Sequence, residues 1–273
     1  MNLIERHSWL CKLSEFRREY GTYCRNVTFG VVAGYLYYAY IMHMFFRHPY
    51  KDYTIRERLW ITSVGFVCMT FPISIRLIYL HLTHWVQPRV QKYVVRIIWM
   101  IPVYSIESWL ALRYGSYTFF IETLRECYEA YVIYNFLYFL ISLLGEEGHL
   151  VALLKEKPAI RGMHKWPTSM FVSSWIMGYD FLYKCKLGVF QYILLKNVTA
   201  VLTFILASYH MYGDGSWRVD RGYMYIFVVN SFSQLWALYC MILFYTATRE
   251  ELGPWKPVAK FLCVKMVQFK FIL

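Results

Sequence analysis

Charge is scarce in this sequence. Asp, Glu, Lys and Arg make up 17% of its 273 residues while apolar residues reach 58%, whereas soluble domains carry about a quarter charged residues. That balance excludes an ordinary water-soluble domain. Acidic residues are the scarcer sign, 17 against 29 basic, leaving a net charge of +12. The Lys and Arg residues sit mostly between apolar blocks, where anionic headgroups hold them, so no nucleic-acid partner is expected. The seven Cys are dispersed with no C-x-x-C pair, which argues against a disulfide framework or a zinc site. His81 and His84 share a helix face but have no third ligand near in sequence. There is no Gly-rich phosphate loop and no nucleophile set beside a base. No catalytic residue, metal or cofactor is therefore expected. The first 26 residues hold no apolar core, so no cleaved signal peptide is expected either.

What is present is a series of apolar blocks of about twenty residues, the length a bilayer core demands. They run over 27–46, 60–80, 94–112, 122–144, 187–208 and 222–246. A seventh begins at Pro257, carries Lys260, Lys265 and Lys270, and stops at Leu273. The expected fold is all-α: a polytopic transmembrane helix bundle of about six spans plus a truncated seventh segment. Residues 1–26 are expected to form a tail and 27–273 the membrane domain. The longest polar connection, 145–186, reads as a loop whose Trp166, Phe171 and Trp175 lie on the membrane surface.

Lys and Arg are biased between alternate connections, fifteen on one side and eight on the other. The richer side is expected to face the cytoplasm, which puts both ends of this chain there. The membrane itself, plasma membrane or endomembrane, is left open. The sequons at Asn26 and Asn197 abut or lie within spans, and neither is expected to be glycosylated. Cys11, Cys185 and Cys263 near the interfaces are candidates for acylation, with an unmodified thiol as the alternative.

Polar residues at bilayer depth are costly, and by default they mark function. The 122–144 block carries two stripes. Tyr128, Tyr131, Asn135, Tyr138 and Ser142 share one helix face; Glu122, Arg125, Glu126 and Glu129 cluster on the other. Glu107 stands in the third block, Lys196 with Thr199 and Thr203 in the fifth, and Tyr223, Asn230 and Gln234 in the sixth. The simplest arrangement points these stripes at a shared interior. Glu107, Arg125, Glu126, Glu129, Tyr131, Asn135, Lys196, Asn230 and Gln234 are thus the candidate residues for substrate contact or intramembrane ion pairing. Each has a plainer role too. The amides can simply bond neighbouring helices. Glu107 or Glu129 can form a structural ion pair with Lys196. The 122–129 charges can be a solvated helix start, and the tyrosines an interfacial belt.

Four runs of this sequence resemble the organic solute transporter alpha / transmembrane protein 184 family, with transmembrane protein 184C the nearest branch. They are Pro102-Val-Tyr-Ser-Ile-Glu-Ser-Trp-Leu110, the Arg125–Phe136 run, Cys185-Lys-Leu-Gly-Val-Phe-Gln-Tyr192 and the Arg249–Lys265 segment. The resemblance runs in order over about 60–265 and implies a multi-pass helical membrane protein. By resemblance alone it also implies transport of amphipathic organic solutes such as steroid or bile-acid anions, beside a partner subunit or a second copy. A non-transporting receptor, a trafficking or growth-control scaffold, and an inactive truncated form are the alternatives. The loop 145–186 lacks the family's cysteine cluster, and Lys196-Asn197 stands where relatives have Arg-Pro. The chain also ends where relatives continue, so a truncated form is expected.

Overall fold

Proline and a buried amide set the first boundaries of the bundle. Helix α1, Ile55–Thr83, gives way to α2, Pro88–Ile98, whose first position is a proline. Proline is tolerated there because that N–H has no partner in any helix. Gln91 fastens the turn: its Oε1 accepts the Gln87 N–H at 2.9 Å and its amide donates to the His84 carbonyl at 2.7 Å. Helix α3, Met100–Arg113, continues after a break at Trp99. Pro102 has no N–H for the Ile98 carbonyl and its ring crowds that carbonyl, so the helix resets just before it. α2 and α3 together make one span, Pro88–Arg113.

A 3-10 turn, Gly115–Tyr117, leads into α4, Thr118–Leu143. α5, Glu147–Glu156, leaves it at 78°. Gly145 makes that bend with φ 103°, a conformation open mainly to glycine. The long α6, Tyr179–Ser208, α7, Gly222–Ala247, and the short α8, Arg249–Leu252, complete the regular elements.

These helices come from a computed structural model that describes residues 32, 35, 36, 38–40, 43, 55–158, 174–255, 257 and 259–262. They fall into two compact units, one through Arg76 and one from Leu77. In the first, the described residues between 32 and 43 are helical. There the Tyr38 hydroxyl donates to the Thr62 carbonyl, and its ring meets Phe66 edge-on at 5.6 Å. In the second, α4 packs against α2, α3 and α6, and α6 packs most extensively against α7. The core lies along α4, α6 and α7, with Ile133, Leu137, Leu140, Phe181, Val189 and Phe244 fully buried.

Four described helical stretches are long and apolar enough to cross a membrane: 59–83, 88–113, 179–208 and 222–247. α4 joins them only when taken with α5, giving up to five. Its first third holds Glu122, Arg125, Glu126 and Glu129, which dilute the apolar run. The expected span at 27–46 and the segment after residue 262 lie largely outside the described residues.

The connection 145–186 is not simply a loop. It contains α5 and the first two turns of α6, with 159–173 outside the described residues. Trp175 does not lie on a membrane surface. It is buried, its ring 6.2 Å from Phe181 and 6.3 Å from Trp236. Trp166 and Phe171 are outside the described residues. Ion pairs tie this end of the bundle together: Arg89 to Glu146 at 2.7 Å, Lys186 to Glu147 at 2.5 Å, and Lys157 to Glu250 at 2.9 Å and to Glu251.

Hydrogen bonds to Glu251 and then Glu250 hold the Lys157 ammonium above its ordinary pKa. A raised folded-state pKa means that the stabilisation is complete below the unfolded lysine value and fades as pH rises through the higher folded one. Between neutrality and pH about 9 the tie should therefore hold. Limited proteolysis near residue 157 should be flat over that range in the parent chain and faster throughout in Lys157→Ala. A rise in parent cleavage between pH 7 and 9 would contradict it.

Candidate functional site

Lipid offers no hydrogen bonds and no driving force to separate apolar from apolar, so polar side chains on spans must find one another. α4 is where they do. Lys196 of α6 is 9% exposed, and its ammonium reaches Glu126 Oε2 of α4 at 2.8 Å. The Glu126 side chain keeps 47% of its surface exposed, so the protein leaves the pair open on one side. One position earlier on α4, Arg125 Nε stands 3.6 Å from Glu107 Oε1 of α3. Both of those side chains are mostly buried, and the guanidinium also lies 5.7 Å from the Tyr104 ring centre. Two ion pairs thus leave adjacent residues of α4 toward different helices.

Further along α4, Asn135 is fully buried. It donates to the Tyr131 carbonyl at 2.7 Å and accepts from Arg96 Nη1 of α2 at 3.3 Å. The Tyr128 hydroxyl donates to the Arg96 carbonyl at 2.9 Å. On the far side of α6, Thr199 donates to Asn230 Oδ1 of α7 at 2.8 Å. Gln191 and Ser233 exchange bonds reciprocally at 3.1 and 3.0 Å. Thr199 and Thr203 are both buried. The Thr203 hydroxyl meets Tyr212 of the connection to α7, whose phenol burial, with help from Asp214, pushes up to about 12.

The candidate residues therefore converge in part. Glu107, Arg125, Glu126, Lys196 and Asn135 lie on α3, α4 and α6 in direct polar contact across helices. Glu129 is half-buried and acts electrostatically on the buried Tyr192 of α6, as does Glu126. Tyr131 is half-buried, 5.8 Å from the Tyr128 ring, and enters the network through its carbonyl. Asn230 joins through Thr199, whereas Gln234 is half-buried away from the network.

Several expectations are corrected. Lys196 pairs with Glu126, not with Glu107 or Glu129. The register of α4 on α6 decides that, and it differs by one turn. The 122–129 charges are not merely a solvated helix start, because Arg125 pairs with Glu107 and Glu126 with Lys196. Arg96 meets Asn135 of α4, while Glu107 pairs with Arg125. Tyr223 belongs to an aromatic cluster with Tyr212, Trp217 and Phe227. Cys185 is fully buried beside Cys240, out of reach of acylation; Cys11 and Cys263 lie outside the described residues. The Gln191–Ser233 pair was missed, although a glutamine five residues from Lys196 within the span was a usable signal.

A stack of long apolar helices whose buried charges Glu107 and Lys196 are paired across helices is a multi-pass helical membrane protein. The chain belongs to the organic solute transporter Ostalpha family, whose model matches residues 59–272. It is similar to the Arabidopsis thaliana proteins "Protein LAZ1 homolog 1", 36% identical over 218 residues, and "Protein LAZ1", 34% identical over 221 residues. Each match covers 75% of this chain and 45% of the relative, so the chain spans just under half the length of these relatives. The family is one of solute transporters, not of enzymes. No solved structure matches the chain.

Proposed function

We propose that this chain carries or facilitates amphipathic organic solutes across a membrane, with steroid- or bile-acid-like anions as the substrate class. The observation that carries the reading is the Lys196–Glu126 pair, buried on its cationic side and about half exposed on its anionic side. Glu126 can turn to water when released. Lys196 cannot, so an arriving anionic head is its natural replacement partner in a low-dielectric setting. Tyr192, one turn before Lys196 on α6, is the kind of aromatic that suits an apolar solute body. Arg125 and Glu107 hold α3 against α4 beside this pair and make the setting rigid.

Cells producing the chain should take up labelled steroid sulfate faster than controls. Lys196→Ala should abolish the increment, and Lys196→Arg should keep part of it. Uptake equal to controls, or unchanged in both Lys196→Ala and Glu107→Ala at equal surface level, would remove the assignment. A receptor or scaffold that does not transport is the second reading. It is favoured by both ion pairs being closed within the protein. A partner subunit or a second copy belongs to the same proposal.

A further inference from the structure

At the other end of the same helices a different polar cluster faces outward. Lys92 and Arg96 of α2 are both exposed and flank one ring: the Lys92 ammonium lies 4.8 Å from the Tyr93 centre and the Arg96 guanidinium 5.7 Å from it. Tyr93 is 5.9 Å from Tyr138 of α4, and Tyr138 is 4.5 Å from Tyr134. Lys186 of α6 lies over Tyr138 at 5.5 Å. Three tyrosines from two helices are thus rimmed by three cations from two helices.

The cations are not equally satisfied. Lys186 is bound to Glu147. Among the described residues no carboxylate lies within ion-pair reach of Lys92 or Arg96, and the polar side chain that meets Arg96 is the neutral Asn135. Arg96 stands eight residues inside Pro88, about 12 Å along the helix, where a lone exposed cation is costly. From Tyr134 the surface continues through Phe190 of α6, 6.1 Å away, flanked by exposed Leu187 and Leu194. Moving along α6 away from Tyr179, the surface therefore goes from cationic to aromatic to aliphatic.

We propose that this surface of α2, α4 and α6 binds an anionic phospholipid, with the headgroup phosphate on Lys92 and Arg96 and an acyl chain along Phe190 and Leu194. A phosphate supplies the counter-charge that the protein withholds. The tyrosine rings suit the boundary between headgroup and chain, where an apolar body and a polar tip are both served. The aliphatic continuation selects an amphipath over a small soluble anion. The Lys and Arg distribution assigns this end to the cytoplasmic leaflet, the one richer in anionic lipid. The site is separate from the Lys196 region and does not depend on transport.

The test uses the whole 273-residue chain in nanodiscs, of phosphatidylcholine alone or mixed with phosphatidylserine, followed by detergent release and native mass spectrometry. Retained phosphatidylserine is expected, with Lys92→Ala/Arg96→Ala binding it about tenfold more weakly or worse, since each cation contributes about fivefold. Arg96→Lys should keep most of the retention. Arg96 also bonds Asn135, so Lys92→Ala alone, a change at an exposed side chain, separates lipid binding from folding. It should weaken retention about fivefold with an unchanged elution profile. Equal retention of phosphatidylcholine, unaltered retention in Lys92→Ala, or displacement by inorganic phosphate as effective as by lipid would overturn the assignment.

Discussion

Glu126→Ala is expected to destabilise this protein more than Lys196→Met, although the two remove the same ion pair. The difference lies in the charge left behind. Without Glu126, the Lys196 ammonium stays at 9% exposure with no other carboxylate among the described residues within ion-pair distance. Without Lys196, Glu126 remains about half exposed and can be hydrated. Breaking a fully buried pair costs about 3–5 kcal/mol, and partial wetting should bring Glu126→Ala nearer 2 kcal/mol. Lys196→Met should cost about 1 kcal/mol or less, since it leaves only a half-exposed carboxylate and fills the space with an apolar chain. The double variant Glu126→Ala/Lys196→Met should recover much of the loss in Glu126→Ala, because no charge is left uncompensated. Thermal unfolding in detergent, followed by the loss of monodisperse protein, measures all three. Equal costs for the two single variants, or simple additivity in the double, would show that the pair contributes nothing specific.

Gly188→Ala should be among the most damaging small changes in the chain. Gly188 lies on α6 against Cys240 and Trp236 of α7. A Cβ there would overlap Cys240 Sγ and stand 3.2 Å from both Cys240 Cβ and Trp236 Nε1. Interfaces between spans depend on such small residues because close backbone approach and packing replace the hydrophobic drive available in water. Overpacking of this kind costs about 1–3 kcal/mol. The cost should show as reduced yield and a lower unfolding temperature. Cys240→Ala removes the sulfur that causes the worst overlap, so Gly188→Ala/Cys240→Ala should regain part of the loss. A Gly188→Ala chain as stable as the parent would mean that α6 and α7 do not pack as closely as described. The same contact bears on the polar pairs, because Gln191–Ser233 and Thr199–Asn230 bridge these two helices further along α6 from Gly188, both toward its C-terminal end.

Much of this was legible in the residues. Glu107, Arg125, Glu126, Lys196 and Asn135 stand out because charged and amide groups are rare within apolar blocks. The cost of leaving them in lipid required partners. Pro102 announced a broken third span, and the break falls at Trp99, close to where its missing N–H and its ring predict. Less was legible where a residue had two plausible environments. Trp175 sits in a polar stretch and reads as an interfacial aromatic, yet the fold lays it on Phe181 and Trp236. The 145–186 connection reads as a loop because its helices are short or begin before the apolar run does.

The sequence by itself determined that lipid is the solvent for these helices, roughly where each span lies, and which side chains could not be left facing acyl chains. Helical periodicity gives each polar side chain a direction but not a depth relative to its neighbour on another helix. Only the tertiary structure decided that Lys196 meets Glu126 rather than Glu129 or Glu107, that Arg125 turns to Glu107, and that Asn135 receives Arg96. One helical turn, about 5.4 Å, separates the right partner from the wrong one. That offset is set by how closely α4, α6 and α7 pack, which depends on contacts such as Gly188 against Cys240 that no single helix encodes.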